Sequence, residues 1–166
     1  MKFDKKLLLG VFGASERGKT QTLSKLIDKF ESDKSYSIPF ELKIRELSSS
    51  DKIAIFEKNG IKIGISTEGD YKEIVDKTVG KLISHGCDLI VTATRTKGET
   101  TNLINQIADK YCYEMQWFEK NTNINEWCNK WPHKGEDFEK RKTEYFNKLN
   151  ETDAQFLFDY IDSLTQ

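Results

Sequence analysis

Three observations predict an α/β fold built on a mostly parallel sheet with one antiparallel β-hairpin. Short apolar runs that read as strands alternate with longer segments whose apolar residues recur at helical spacing, the pattern of a sheet with helices on both faces. The pair Asn59-Gly60 separates two β-branched runs, the strongest short-range signal for a hairpin. The run Gly13-Ala14-Ser15-Glu16-Arg17-Gly18-Lys19-Thr20 fits G-x-x-x-x-G-K-[ST] without a gap and joins the first strand-like run to the first helical one.

Leu7 to Phe12 is short and apolar, as a strand buried on both faces requires. Leu23, Leu26, Ile27 and Phe30 fall at i, i+3, i+4 and i+7, which predicts an amphipathic helix from about Lys19 to Glu31. Ile38 to Arg45 alternates apolar and polar residues and reads as a strand, with Pro39 placing its start at a sheet edge. Ser48 to Asp51 reads as a turn, followed by the hairpin strands Lys52 to Glu57 and Ile61 to Thr67. Ile74, Val75, Val79, Leu82 and Ile83 mark a helix that Gly86 ends, with Asp70 and Glu73 spaced as a capping box. Asp88 to Ala93 is a second buried-strand run, Leu103, Ile104, Ile107 and Ala108 mark another helix, and Tyr113 to Phe118 reads as the last strand. Two helices are expected to finish the chain, one around Phe138 to Leu149 and one opening at Thr152 with Gln155 as its capping partner.

The glycine-rich run has a physical purpose. Glycines permit backbone conformations that a Cβ forbids, so successive N–H groups can turn toward an anion, and the first turn of the following helix adds unpaired donors and a positive dipole end. In such a cradle, built from residues 13 to 21 with Gln21 in that first turn, Lys19 reaches β- and γ-phosphates, Thr20 ligates Mg²⁺, and Ser15, Glu16 and Arg17 contribute mainly backbone. The run is the Walker A motif, and over its first thirty or so residues the chain resembles the P-loop NTPase superfamily. That resemblance implies a three-layer α/β/α sandwich that binds a nucleoside triphosphate with magnesium, and it leaves the reaction open.

Phosphoryl transfer needs a carboxylate near the metal, beyond the end of a strand close to the loop. Ile61 to Thr67 ends in Glu68-Gly69-Asp70, whereas Leu89 to Ala93 ends in Thr94-Arg95-Thr96-Lys97 with no acid before Glu99, so Glu68 and Asp70 are favoured. A helix cap accounts equally well for Asp70. Arg95 and Lys97 leave the carboxyl end of a parallel strand, where ligands bind in open α/β sheets, and either steady a phosphate or simply face water. A hairpin running into Thr67-Glu68-Gly69 resembles in order the switch region of small GTPases, whose D-x-x-G turn contacts the γ-phosphate. Here Ser66 or Thr67 stands in place of that aspartate, and no N-K-x-D run for guanine is present, so ATP is expected rather than GTP. Residues 64 to 70 together with the loop after Ala93 also look like small, poorly characterised bacterial P-loop ATP-binding proteins.

The chain has 166 residues, the length of a single domain, with 26 basic and 27 acidic residues and a formal charge of −1. That balance gives no global footprint for nucleic acid or anionic membrane, and neither is an expected partner. Cys87, Cys112 and Cys128 are odd in number and lack C-x-x-C spacing, which suits a reducing cytosol, and His85 and His133 offer no zinc-type ligand set. The apolar start of the chain is no signal peptide, since cleavage near Ser15 would destroy the loop, so a cytoplasmic protein is expected. Trp127, Trp131 and His133 would pack or lid a pocket. The functional expectation is an ATPase or a kinase acting on a small or protein acceptor, with Lys19, Glu68 and Arg95 catalytic and Thr20 and Asp70 on the metal. The alternative is a nucleotide-loaded switch that engages a partner with little turnover.

Overall fold

The computed structural model describes residues 4–13, 18–39, 45–46, 51–120 and 137–166. In chain order the elements are β1 (Leu7–Phe12), α1 (Lys19–Ser32), β2 (Arg45–Glu46), β3 (Lys52–Lys58), β4 (Ile61–Ser66), α2 (Lys72–Ser84), β5 (Leu89–Thr94), α3 (Glu99–Tyr111), β6 (Glu114–Glu119) and α4 (Phe138–Leu164). They form one six-stranded sheet in the order β2-β3-β4-β5-β1-β6. β4, β5, β1 and β6 run parallel, whereas β3 is antiparallel to β4 and to β2.

Strand alternation sorts the apolar side chains onto two faces. Leu7, Leu9 and Val11 of β1 join Ile63, Ile65, Leu89 and Val91 under α1 and α4, while Leu8, Ile53, Ile55 and Ile90 lie under α2 and α3. Helices thus cover both sides, an arrangement compatible with a three-layer α/β/α domain. The four apolar positions read on α1 are fully buried, and so are Val75, Val79, Leu82 and Ile104 on the opposite face. Asn59 and Gly60 both take positive φ, 54° and 78°, and close the β3–β4 hairpin as the turn chemistry requires.

Three expectations need correction. The edge strand read from Ile38 to Arg45 reduces, among the described residues, to the two-residue β2 and an isolated antiparallel bridge from Ser37 to Glu57; residues 40–44, and the turn at 48–50, lie outside the described residues. The capping box at Asp70 and Glu73 does not form. Tyr71 is the N-cap of α2 without any side-chain cap, and Asp70 is drawn away to Arg95.

The third correction is the largest. The two terminal helices are one helix of 27 residues, because the polar residues that signalled a break are engaged elsewhere. Asn150 bonds to Gln21 and Thr22, Asp153 pairs with Lys120, and Thr152 Oγ1 donates back to the Lys148 carbonyl instead of capping a new turn. Gln155, the expected capping partner, donates to Asp159. No helix among the described residues is long and apolar enough to cross a membrane.

Candidate functional site

The carboxyl ends of β1, β4 and β5 gather the residues singled out in the sequence. β1 leads through Phe12 to Gly13, and α1 begins at Gly18, whose φ of 83° lies in the left-handed region that glycine alone enters freely. Residues 14–17, including the predicted Ala14, Ser15, Glu16 and Arg17, lie outside the described residues. Lys19 is only 7% exposed, and its Nζ donates to the Gly13 carbonyl at 2.6 Å, so the ammonium folds back across the mouth of the segment. The first turn of α1 holds no acidic residue, which leaves the positive end of its dipole uncancelled.

β5, not β4, is the neighbour of β1, so the acids that follow β4 start one strand further away. The chain makes up that distance at Gly69. A Cβ there would sit 2.6 Å from the Ala93 carbonyl oxygen, so only glycine lets the segment after β4 lie directly on the end of β5. Asp70 is thereby delivered to Arg95, with Nε to Oδ1 at 3.4 Å, and the Thr20 hydroxyl makes a long hydrogen bond of 3.5 Å to the Thr67 carbonyl.

Charge converges on Lys19. Burial pushes its ammonium below the ordinary lysine range; Asp70 opposes that shift, Arg95 adds to it, and Glu68 opposes it, so all three are close enough to act on Lys19. Glu68 is 9% exposed and accepts from the Asp70 amide at 2.8 Å. Burial raises its carboxyl above the usual range, the Asp70 amide opposes, and the hydrogen-bonded Asp51 carboxyl adds to the rise. Arg95 and Asp70 are both about half exposed, and such a surface ion pair is worth roughly 0–1 kcal/mol, little enough for a ligand to exchange.

No family model, no curated protein and no solved structure matches the chain. The site therefore has to be read from its own geometry.

Lys19, Thr20, Glu68, Asp70 and Arg95 are brought together, and Gln21 stands exposed on the first turn of α1 with its carboxamide accepting from Asn150. Lys97 is exposed on the loop between β5 and α3. Thr94, Thr100 and Thr101 hold that loop's shape through mutual hydroxyl contacts and a bond from Thr101 Oγ1 to the Arg95 carbonyl at 2.7 Å. Trp127, Cys128, Trp131 and His133 lie outside the described residues.

Sequence reasoning missed three members of the neighbourhood. Asp51, read as a turn residue, accepts from Thr67 Oγ1 at 3.0 Å, while the Lys52 amide donates to the same hydroxyl at 2.9 Å. Asn150, read as a helix end, lies against Gly18. Lys120 ends β6 beside β1, is 2% exposed and pairs with Asp153; the strand-end rule that marked Arg95 applies to it equally.

Magnesium keeps several waters and takes one or two protein oxygens together with substrate phosphates. The oxygens of Thr20 and Asp70 could take that role, and among the described residues no cluster of three or more His, Cys, Asp or Glu could hold a metal alone.

Proposed function

We propose that the chain is a P-loop protein that binds a nucleoside triphosphate, ATP in preference to GTP, together with Mg²⁺, and transfers the terminal phosphoryl group to water or a small acceptor. The observation that carries this reading is Lys19. A buried ammonium rests on the Gly13 carbonyl at the start of a helix that opens on a left-handed glycine, and Glu68, Asp70 and Arg95 all face it. Among the described residues no carboxylate forms an ion pair with Lys19, although Asp70 and Glu68 act on it through space, and an incoming polyphosphate would bring counter-charge to the ammonium itself.

In this reading the segment's N–H groups and Lys19 hold the phosphates, and the Thr20 hydroxyl turns from the Thr67 carbonyl toward the metal with Asp70. Magnesium, which Thr20 and Asp70 would hold, would supply charge neutralisation to the phosphates. Glu68 orients the attacking hydroxyl or water and accepts its proton, and Arg95, released from Asp70, stabilises the charge that develops on the transferring group.

The switch alternative has the hairpin change position. Asn59 Nδ2 donates to the Thr165 carbonyl at 2.7 Å and Lys58 pairs with Asp162 at 2.6 Å, so the hairpin tip is fastened to the end of α4, which weighs against that reading.

The test is thermal stability of wild type and Lys19→Ala with ATP, GTP and ADP, each with Mg²⁺. Ligand at about 100 times Kd adds roughly 2.7 kcal/mol to the folded state. A shift with ATP in wild type alone supports the reading, and no shift with any nucleotide overturns it. Multiple turnover with and without acceptors then separates hydrolase, kinase and switch.

A further inference from the structure

One turn of α4 is tied to the described residues on both sides of residues 14–17. On the α1 side, Asn150 Nδ2 donates to Gln21 Oε1 at 2.8 Å, and Asn150 Oδ1 accepts from Thr22 Oγ1 at 3.3 Å. The same carboxamide lies on Gly18, where a Cβ would come within 2.5 Å of Oδ1 and 3.0 Å of Nδ2. On the β1 side, the Lys120 amide donates to the Phe12 carbonyl at 2.7 Å, and the buried Lys120 ammonium pairs with Asp153, one turn along from Asn150.

This polar turn is out of keeping with the rest of its helix. Asn150 is 1% exposed, while the other buried residues of α4, Ala154, Leu157 and Ile161, are apolar. Asparagine is a poor helix former, and burying its carboxamide is costly unless hydrogen bonds compensate. Docking α4 on α1 rests on apolar packing, with Phe158 on Phe30 and Leu157 and Ile161 in the same core, rather than on Asn150. Asn150 touches Gly18 and the first turn of α1, the origin of the N–H groups that would meet a phosphate.

We propose that Asn150 is a positioning residue that fixes Gly18 and the first turn of α1 in ligand-ready geometry before any ligand arrives, with Lys120 and Asp153 fixing the end of β1 opposite. The proposal rests on the phosphate-binding reading for its purpose, but not for its test. Fixed donors matter because displacing a binding group by about 1 Å can cost up to a hundredfold in rate.

The experiment compares Asn150→Ala with Leu157→Ala, a cavity in the same helix at a fully buried apolar position. Amide hydrogen exchange of residues 18–23 is measured without nucleotide. Asn150→Ala is expected to speed it by about tenfold or more beyond its effect on global stability, and Leu157→Ala only in proportion to stability. Calorimetric titration with ATP and Mg²⁺ is expected to show Asn150→Ala weakened roughly 10- to 100-fold and Leu157→Ala within about twofold of wild type. If exchange in both variants simply follows global stability, Asn150 is packing and the proposal is overturned. If wild type fails to bind ATP, the nucleotide reading falls, while the exchange result still decides whether Asn150 positions the segment. Should Asn150→Ala not fold, Thr22→Val, which removes one hydroxyl partner of the carboxamide, carries the same measurements.

Discussion

Lys19 shows how a site can cost the fold that carries it. Its folded-state pKa lies below the unfolded value, so the ammonium destabilises the native state at neutral pH and the cost is relieved only as pH rises through the folded value. Lys19→Met is therefore expected to melt higher than wild type without nucleotide and to gain nothing from ATP, which paired thermal scans check. Asp162 behaves in the opposite sense. Burial would raise its carboxyl, but hydrogen bonds from Lys58, Tyr36 and Gln166 outweigh burial and hold it below the usual range. Its contribution is complete above the unfolded aspartate value of about 3.9 and is lost as pH falls through the lower folded value. Asp162→Asn is expected to cost roughly 1–3 kcal/mol at pH 7 and to flatten the acid limb of stability, measured by denaturant unfolding from pH 7 to 2.

At the level of elements, what joins the end of β4 to the site is a close approach at Gly69. Gly69→Ala would force the segment off the Ala93 backbone, with an expected loss of about 1–3 kcal/mol and a weakening of ATP·Mg²⁺ binding larger than stability alone explains. Denaturant unfolding and calorimetric titration of the variant check both parts. Elements whose identity is carried by their own local sequence were legible: α1 and α3 lie where helical spacing put them, the hairpin strands where Asn59-Gly60 did, and β1 and β5 where the apolar runs did. Elements whose ends are set by distant partners were not. Asn150, Thr152 and Asp153 carry the local chemistry of a helix boundary, yet contacts to α1 and β6 keep the helix running through them. Asp70 likewise has the spacing of a cap, yet the close approach of Gly69 to Ala93 sets it on the end of β5 beside Arg95, 25 residues away.

For the molecule as a whole, alternation of strands and helices implied the parallel sheet but not which strand lies beside which. The sequence therefore pointed to Glu68 and Asp70 as candidate acids without showing that β5 intervenes, or that Gly69 bridges the gap. The candidate residues were legible because Lys19 and Thr20 sit in the G-x-x-x-x-G-K-[ST] run and Glu68, Asp70 and Arg95 follow strand ends; Asn150 was not, since a single asparagine in a polar helix carries no pattern. α4, about 40 Å long at 1.5 Å per residue, links this shell to the far end of the sheet, where Asn59 meets Thr165. Asn59→Gly keeps the positive φ of the turn and removes only that tie. A loss of about 1 kcal/mol in stability with unchanged ATP affinity is expected, read by denaturant unfolding and calorimetric titration.

The place of α4 in the chain has its own consequence. It follows every other described element, yet it covers the outer side of α1, where Phe30 packs on Phe158, and it supplies Asn150 behind Gly18. A nascent chain that has emerged as far as Lys120 holds all six strands but neither that cover nor that support. The apolar side of α1 is then a surface for chaperones, and Gly18 lacks the Asn150 carboxamide against it. Under the proposed function, the site's full affinity for nucleotide would be reached only when translation has delivered α4, so an unfinished chain would be a poor competitor for nucleotide.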